Sequence, residues 1–274
     1  MKGMPTLYAV ATPIGNLEDI SLRALRILRE VKLIAAEDTR RTRQLLNAYD
    51  IKTPVTSYHE HNKLTKLDYI LGRLEKGDVA LVSDAGMPGI SDPGYELIAA
   101  ASQRGFPIVP IPGPSTVITA LAVSGLPTDK FVYIGFLPRK ASERKRLLES
   151  IASESGTIVV LEAPHRLLAM LEDIRAILGD RKIAVCRELT KVHEEIFRGT
   201  ISQAIEHFAE PRGEFTLVIE GEREEKKPLM TVEIERKLRS MRRSGKTAKE
   251  AIARVAEESG LPRKELYRAW LRAS

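Results

Sequence analysis

Two acids and two arginines stand together where a predicted strand ends. Glu37 and Asp38 follow the β-like run 33–36, and Arg40 and Arg41 come next in a helical stretch. Acidic side chains at a helix N-terminus are stabilised by the helix dipole, so capping would explain the two carboxylates. Alternatively, two acids and two arginines at the carboxyl end of a strand suit the binding of a substrate or a cofactor. The sequence leaves both interpretations open.

The loop at residues 83–94, SDAGMPGISDPG, holds more polar and turn-forming residues than a connection requires. It contains three glycines, two prolines, two serines and two aspartates. It follows a predicted buried strand, and ligands of open α/β sheets bind at the carboxyl ends of strands. Asp84 is placed to accept hydrogen bonds from amino or hydroxyl groups of a small molecule. Asp92 and Pro93 are expected to start the next helix, as its N-cap and its first residue.

Two further loops also follow predicted strands. Residues 12–16 include Gly15, whose missing side chain would let a ligand approach the backbone, although a plain turn explains this loop as well. Ser115 and the free N–H groups at a helix start would bind a carboxylate or an adenosyl group, or Ser115 is only an N-cap. The sequence contains no P-loop, no nucleophile elbow and no cluster that suggests a metal. The single cysteine, Cys186, rules out a disulfide framework.

Alternating β-like and helical segments must position these loops. In the first half, strands are predicted at 7–12, 33–36, 55–58, 79–83 and 107–111, with helices at 21–30, 39–49, 63–76 and 114–123. Such alternation favours an α/β fold with a mostly parallel sheet covered by helices. The pattern then restarts, with strands at 131–136, 157–162, 182–187 and 215–220, a helix at 164–178, and a capping box from Thr200 to Gln203.

The chain divides into three predicted domains. A turn-rich stretch at 125–130 separates an N-terminal α/β domain (1–125) from a second α/β domain (126–224). A charged linker at 222–228 leads to a small helical domain (229–274), in which Thr247 and Glu250 form another capping-box pattern. A glycine-containing turn before a basic last helix is the outline of a helix-turn-helix, and a plain helical hairpin would have the same pattern.

The positive charge is concentrated in this last domain. The net charge is +6, and residues 228–274 hold 12 basic and 6 acidic residues, against 31 of each in the rest of the chain. Such asymmetry favours contact with a polyanion, although a solvated helical surface is the alternative. The sequence shows no bilayer-length apolar stretch and no secretory signal, and its one cysteine suits a reducing compartment. We therefore expect a cytoplasmic protein without membrane contact.

Together, these loops resemble the tetrapyrrole-methylase superfamily of S-adenosylmethionine-dependent methyltransferases, and within it the branch that modifies ribosomal RNA. The resemblance spans roughly residues 7–220. The motifs that carry it are residues 11–17, 36–40, 57–62, 83–94, 111–115, 135–139, 162–166 and 187–191. The tetrapyrrole branch has a glycine-rich V-G-x-G-P-G-D-P in the first loop, where this chain has VATPIGNL. This departure disfavours a tetrapyrrole substrate.

The resemblance implies two α/β domains with S-adenosylmethionine in the cleft between them, in a protein that forms homodimers. The implied reaction is 2′-O-methylation of a cytidine in the decoding region of 16S rRNA, with the RNA or the small ribosomal subunit as partner. No metal is expected. The residues expected at the cofactor are Pro13, Gly15, Asp84, Gly86, Met87, Ser115 and Thr116, with Ala163 and Leu189 as walls from the second domain.

A 2′-hydroxyl is weakly acidic, so the implied reaction is helped by a general base. The candidates at the predicted cleft are Glu37, Asp38, His59 and Glu188, and Glu37 is our prediction. The residues expected to bind RNA are Arg40, Arg41, His59, Arg139 and Lys140, with further basic groups at 144–146 and in the tail. Two other functions stay open: methylation of a small tetrapyrrole, and a non-catalytic RNA-binding role in ribosome assembly.

Overall fold

The first sheet consists of five parallel strands. The protein is described by a computed structural model over residues 4–222 and 230–272. The strands are β1 (Leu7–Val10), β2 (Leu33–Ala36), β3 (Val55–Ser57), β4 (Val79–Val82) and β5 (Ile108–Ile111), in the order β3-β2-β4-β1-β5. Every pairing in this sheet is parallel, which confirms the prediction. Because every residue of β2 and β4 is buried, these central strands are continuous apolar runs.

Four helices cover the two faces of this sheet, and a fifth helix follows its last strand. They are α1 (Leu22–Glu30), α2 (Thr39–Ala48), α3 (Lys63–Leu74), α4 (Tyr95–Gln103) and α5 (Thr116–Val123). Leu28 of α1 and Leu46 of α2 belong to the core on one face, whereas Leu71 of α3 and Leu97 of α4 belong to the core on the other. Each of these four helices turns an apolar stripe towards the sheet, which is the periodicity that predicts them.

The start of α4 differs from the prediction. Asp92 and Pro93 do not cap and open this helix, because it begins at Tyr95 with Gly94 in the N-cap position. A Cβ on Gly94, whose φ is +156°, would lie 2.9 Å from the amide nitrogen of Gly89. The loop therefore folds back on itself at a point where only glycine fits. Asp92 lies instead in the wall of a cavity.

The second sheet is mixed rather than mostly parallel. Its strands are β6 (Phe131–Phe136), β7 (Thr157–Glu162), β8 (Lys182–Arg187), β9 (Glu195–Thr200) and β10 (Phe215–Ile219), in the order β6-β7-β10-β8-β9. β6 and β7 pair in parallel, whereas the other three described pairings are antiparallel. The helices that belong to this half are α6 (Ala141–Ser150), α7 (Leu167–Leu178) and α8 (Ile201–His207).

Strand β9 is the element of this sheet that the sequence does not predict. It forms an edge next to β8, and none of its six residues is fully buried, so its composition is mixed. The antiparallel β8–β9 pair then leads into α8, whose predicted capping box at Thr200 and Gln203 is confirmed. The predicted helix at 164–178 starts with a 3-10 turn, Pro164–Arg166, before α7.

The two sheets share a hydrophobic contact. Ala120 and Leu121 of α5 pack with Val159 of β7 and Val218 of β10, and Ile14 of the first loop joins the same cluster. The other face of the second sheet packs against α6, α7 and α8. Helix α5 therefore links the first sheet to the second, and both sheets belong to one compact unit, Met1–Glu222.

The C-terminal unit, Arg223–Ser274, consists of three helices in its described part. They are α9 (Val232–Arg243), α10 (Ala248–Ser259) and α11 (Arg263–Arg272), which confirms the three predicted helical segments. Their core includes Leu238, Val255 and Trp270. The capping box at the start of α10 is also confirmed. The predicted charged linker lies outside the described residues beyond position 222.

None of the helices in the described ranges combines the length and hydrophobicity that a bilayer span requires.

Candidate active site

Loops at the carboxyl ends of β1 and β4 are tied together by hydrogen bonds. The amide of Thr12 donates to the carbonyl of Gly86 at 2.9 Å, and the amide of Gly86 donates to the carbonyl of Thr12 at 3.0 Å. The hydroxyl of Thr12 donates to the carbonyl of Ser83 at 3.1 Å. Because β4 lies between β1 and β2, loops that are distant in the sequence meet over its end.

Carboxylates join the loops that follow β2 and β4. The amide of Asp38 donates to Oδ1 of Asp84 at 2.9 Å, and the amide of Asp84 donates to Oε2 of Glu37 at 3.2 Å. Nη1 of Arg41 lies 3.5 Å from Oδ2 of Asp84. Carboxylates that leave water need such partners, so this exchange holds the acids of both loops at one edge of the sheet.

The capping interpretation holds for Asp38 but not for Glu37. Asp38 accepts a hydrogen bond from the amide of Arg40 at 2.8 Å at the start of α2, and its carboxylate also pairs with the Arg40 guanidinium. The Arg40 guanidinium holds the pKa of Asp38 well below its usual range. Glu37 makes no cap and lies in the wall of the cavity instead.

A cavity of about 460 Å³ lies between these loops and the second sheet. The first half of the chain contributes Glu37, Arg41, Asp84, Gly86, Met87, Ile90, Ser91, Asp92, Ser115 and Thr116 to its wall. The second half contributes Tyr133, Phe136, Leu161, Glu162, Ala163, Glu214 and Thr216. A volume of this size is typical of small-molecule sites, and the wall combines apolar side chains with carboxylates.

The cavity is acidic. Burial, followed by repulsion from the carboxylate of Glu37, raises the pKa of Asp92 to about 6. Burial also raises the pKa of Glu37. Arg41 is the one cation among the described residues of this wall. The cavity therefore favours a ligand that carries positive charge.

Eight of the fifteen residues that the sequence predicts for the site lie in this wall. They are Glu37, Arg41, Asp84, Gly86, Met87, Ser115, Thr116 and Ala163. The other seven, Pro13, Gly15, Arg40, His59, Arg139, Lys140 and Leu189, lie elsewhere. Pro13 lines an adjoining cavity of about 120 Å³ that Asp84 also borders. Leu189 lines a void of about 20 Å³ next to Thr116.

Gly15 lies against the second half of the chain rather than against space for a ligand. A Cβ on Gly15 would lie 2.6 Å from Cγ of Lys191 and 2.8 Å from the carbonyl oxygen of Leu189. The expected close approach occurs, but the group that approaches is the turn after β8. Glycine is therefore required for the contact between the two halves.

We expect Gly15→Ala to lower the free energy of unfolding by about 1 to 3 kcal/mol, because the added methyl group forces this contact apart. Gly72→Ala is the matched control: a Cβ on Gly72, in α3, meets no atom within 4 Å. That variant should be stabilised by about 0.5 to 1 kcal/mol, because alanine is the better helix former. Urea unfolding measures both changes, and equal effects would contradict the contact.

His59 and the basic pair Arg139 and Lys140 lie outside the cavity wall. The amide of His59 donates to Oδ1 of Asn62 at 2.8 Å, which shapes the loop before α3. Arg139 and Lys140 are exposed between β6 and α6. Arg144, which the sequence groups with them, is buried against Asp173 and is therefore not available to RNA.

Asp92, Tyr133 and Glu214 are wall residues that the sequence reasoning misses. The Asp92–Pro93 pair has the pattern of a helix start, so the sequence predicts a helix cap rather than a wall residue at Asp92. Gly135 interrupts the β6 pattern and marks a bulge between Tyr133 and Gly135, which is the one local signal near Tyr133. Glu214 directly precedes β10 and has no distinguishing pattern.

The family model of tetrapyrrole (corrin/porphyrin) methylases matches residues 6–205. The chain therefore belongs to this family, as its motifs predict. It is 50% identical over 269 residues to Ribosomal RNA small subunit methyltransferase I of Synechocystis sp., covering 96% of both chains. It is 52% identical over 221 residues to the protein of the same name from Thermotoga maritima, covering 80% of this chain and 99% of that one.

A solved structure shares the fold. Uroporphyrin-III-C-methyltransferase from Thermus thermophilus matches with a TM-score of 0.55 at 20% identity, over 78% of this chain and 94% of that chain. The predicted fold, two α/β halves with a cleft and a helical C-terminal region, is confirmed. The chain is thus a methyltransferase, and the cofactor of this family is S-adenosylmethionine.

The cavity fits that cofactor. S-adenosylmethionine carries a sulfonium and an ammonium group, which suit a wall with Glu37, Asp84 and Asp92. Its carboxylate suits the start of α5, where the first amides have no partner within the helix. Apolar side chains such as Met87 give an adenine ring a surface to pack on.

Proposed function

We propose that the protein methylates the ribose 2′-oxygen of a cytidine in the decoding region of 16S rRNA, using S-adenosylmethionine. The observation that carries the proposal is the acidic cavity between the two sheets, with five carboxylates and a single arginine in the described part of its wall. The ribosomal RNA substrate is supported by relatives that are about half identical over nearly the whole chain.

Residues of both halves would hold the cofactor. Asp84 and the start of α5 would bind its polar groups, and Met87 and Ala163 would pack against its apolar parts. When bound, the sulfonium group supplies a methyl group that is already activated for transfer. The protein must therefore mainly align the acceptor oxygen with the methyl group, exclude water and take up one proton.

Two carboxylates are placed to take up that proton. Of the four acceptors predicted from the sequence, Asp38 and Glu188 are ion-paired, and His59 lies outside the cavity wall. Glu37 remains from that set, and Asp92 joins it because it lies in the same wall.

The exposed basic residues near α6 are proposed to bind the RNA phosphates. We expect the combined change of Arg139, Lys140 and Arg146 to Ala to make the plot of log affinity against log salt less steep. The magnitude of its slope should fall by about 2 to 3, because each lost phosphate contact reduces it by about one. Filter binding of small-subunit RNA at several salt concentrations measures the slope. The control replaces Arg26, Lys52 and Arg104, which lie in α1, before β3 and after α4 rather than near α6. Equal slopes in the two triple variants would contradict the proposed path.

The proposed reaction is tested by incubating the purified protein with S-adenosylmethionine and small ribosomal subunits that lack the modification, followed by nucleoside analysis. The expected product is 2′-O-methylcytidine at a single position. Methylation of a free tetrapyrrole without RNA would instead favour the small-molecule alternative. Absence of cofactor binding in calorimetry would favour a non-catalytic assembly factor.

We further propose that the protein is a cytoplasmic homodimer that functions without a metal. Its sequence would divide into domains at 1–125, 126–224 and 229–274, and the domain at 229–274 would bind RNA. Exposed basic groups of that domain support RNA binding: Arg243, Arg263 and Arg268 have no ion-pair partner in the described part of the chain. Sedimentation analysis measures the oligomeric state.

A further inference from the structure

We infer that Asp92 is the group that accepts the proton from the substrate hydroxyl during methyl transfer. The inference rests on the proposed function, and it assigns the acceptor among the carboxylates of the cavity.

The first support is the way the loop presents Asp92 to the cavity. Its neighbour Ser91 has φ +64°, a left-handed conformation that residues other than glycine adopt uncommonly. The hydroxyl oxygens of Ser91 and Tyr133 are 2.7 Å apart, so the loop is held against β6 across the cavity. A Cβ on Gly135 would lie 3.0 Å from Oγ of Ser91, so the bulge in β6 makes room for this contact. The loop segment that carries Asp92 is therefore tied to β6 through its neighbour Ser91.

The second support is that three of the other four carboxylates of the wall are ion-paired. Asp84 accepts a hydrogen bond on one oxygen and faces Arg41 with the other. One oxygen of Glu37 accepts the amide of Asp84. The remaining two acids, Glu162 and Glu214, are ion-paired with Arg166 and Lys191.

Asp92, in contrast, has no ion-pair partner within the described part of the chain. Its polar neighbours are the hydroxyl of Ser83, from the end of β4, and Tyr133 from β6. Glu37 and Asp84 are the charged groups that act on it, and both are negative. An acceptor needs an oxygen that is not neutralised by a cation, and Asp92 meets this condition better than the other acids of the wall.

The surroundings of Asp92 also suit a proton acceptor. Burial and the charges of Glu37 and Asp84 raise the pKa of Asp92 to about 6. At pH 7 the carboxylate is still mostly ionised, yet it is a stronger base than an ordinary aspartate. A general base works best when its pKa lies near the operating pH.

The step balances without any further reactant. The 2′-oxygen forms a bond to the methyl carbon, and the bond from that carbon to sulfur breaks with its electron pair remaining on sulfur. The proton of the hydroxyl moves to a carboxylate oxygen of Asp92. The products are a methyl ether, a neutral thioether and a protonated Asp92, which then releases the proton to water.

The test compares single-turnover rates of three variants across pH with the wild-type rates. For wild type, we expect the rate to rise with pH through about 6 and then to level off, because the ionised acceptor is the active form. Asp92→Asn should lower the plateau at least about 100-fold while binding of S-adenosylhomocysteine is kept. Glu37→Gln should keep substantial activity but shift the rise to lower pH, since it removes a negative charge beside Asp92. Asp129→Asn, at an exposed aspartate outside the cavity wall, should match wild type.

A second readout does not depend on turnover. Carbon NMR of the full-length protein with labelled aspartate carboxyls should show one group titrating near pH 6, absent in Asp92→Asn and shifted downward in Glu37→Gln. The inference is overturned if Asp92→Asn retains the wild-type rate, or if Glu37→Gln rather than Asp92→Asn abolishes it. It is also overturned if no aspartate titrates in that range. If wild type itself fails to methylate small-subunit RNA, the proposed function fails, and the NMR result still reports on Asp92.

Discussion

Asp84→Ala is expected to weaken the binding of S-adenosylmethionine at least about 100-fold, which corresponds to roughly 3 kcal/mol. Asp84 accepts the amide of Asp38 at 2.9 Å and lies 3.5 Å from the guanidinium of Arg41. Removal of its carboxylate therefore loosens the loop after β2 and takes a negative charge from the wall that faces a cationic cofactor. Hydrogen bonds to charged groups contribute more than neutral ones, and here one such bond and one ion pair are lost together. Titration calorimetry measures the affinity.

The same strand supplies the control for this experiment. Asp78 directly precedes β4, whereas Asp84 follows it, and Asp78 accepts the amide of Thr6 at 2.8 Å. Asp78→Ala removes an equivalent hydrogen bond at the opposite end of the strand, so it should cost stability but leave cofactor affinity unchanged. If the two variants weaken binding equally, the loss at Asp84 reflects general destabilisation rather than a contact with the cofactor.

Asp173→Ala is expected to lower the free energy of unfolding by about 3 to 5 kcal/mol, because it leaves a buried guanidinium without its carboxylate. Arg144 is only 8% exposed, and its Nε and Nη2 atoms lie 2.8 and 2.5 Å from Oδ2 of Asp173. Nη1 of Arg144 also donates to the carbonyl of Arg139 at 3.3 Å. The pair therefore holds the loop that carries Arg139 and Lys140, and its loss should weaken RNA binding as well.

Urea unfolding followed by circular dichroism measures this loss of stability. Glu30→Ala breaks an exposed ion pair with Arg26 and should cost less than about 1 kcal/mol. Replacing both partners, Arg144→Met with Asp173→Leu, should restore most of the stability, since no buried charge is then left alone. A double variant no more stable than Asp173→Ala would contradict this account.

Some features of the fold depend on local patterns and were predicted correctly. The central strands β2 and β4 are apolar runs, α1 to α3 show helical periodicity, and both capping boxes form. These signals act within a few residues, so the sequence of each segment is sufficient to predict it. The second sheet shows the limit of such reasoning. Its antiparallel order depends on β9, an edge strand whose mixed composition carries no strong period.

The candidate site likewise has residues that the sequence motifs predict and contacts that they do not. Motif positions placed Glu37, Asp84, Ser115 and Ala163 in one cleft, because the ends of parallel strands must meet at one edge of a sheet and the family resemblance supplied the opposite wall. They did not predict that the first loop packs its glycine on the turn after β8.

By itself, the sequence determined the α/β class, the family, the loops that carry the chemistry and the charge of the C-terminal helices. Only the tertiary structure decided which carboxylates of the cavity wall are ion-paired. The proton affinity of Asp92 depends on burial and on the charge of Glu37, which follows a different strand. Such effects arise between segments that are far apart in the chain, so no local pattern records them.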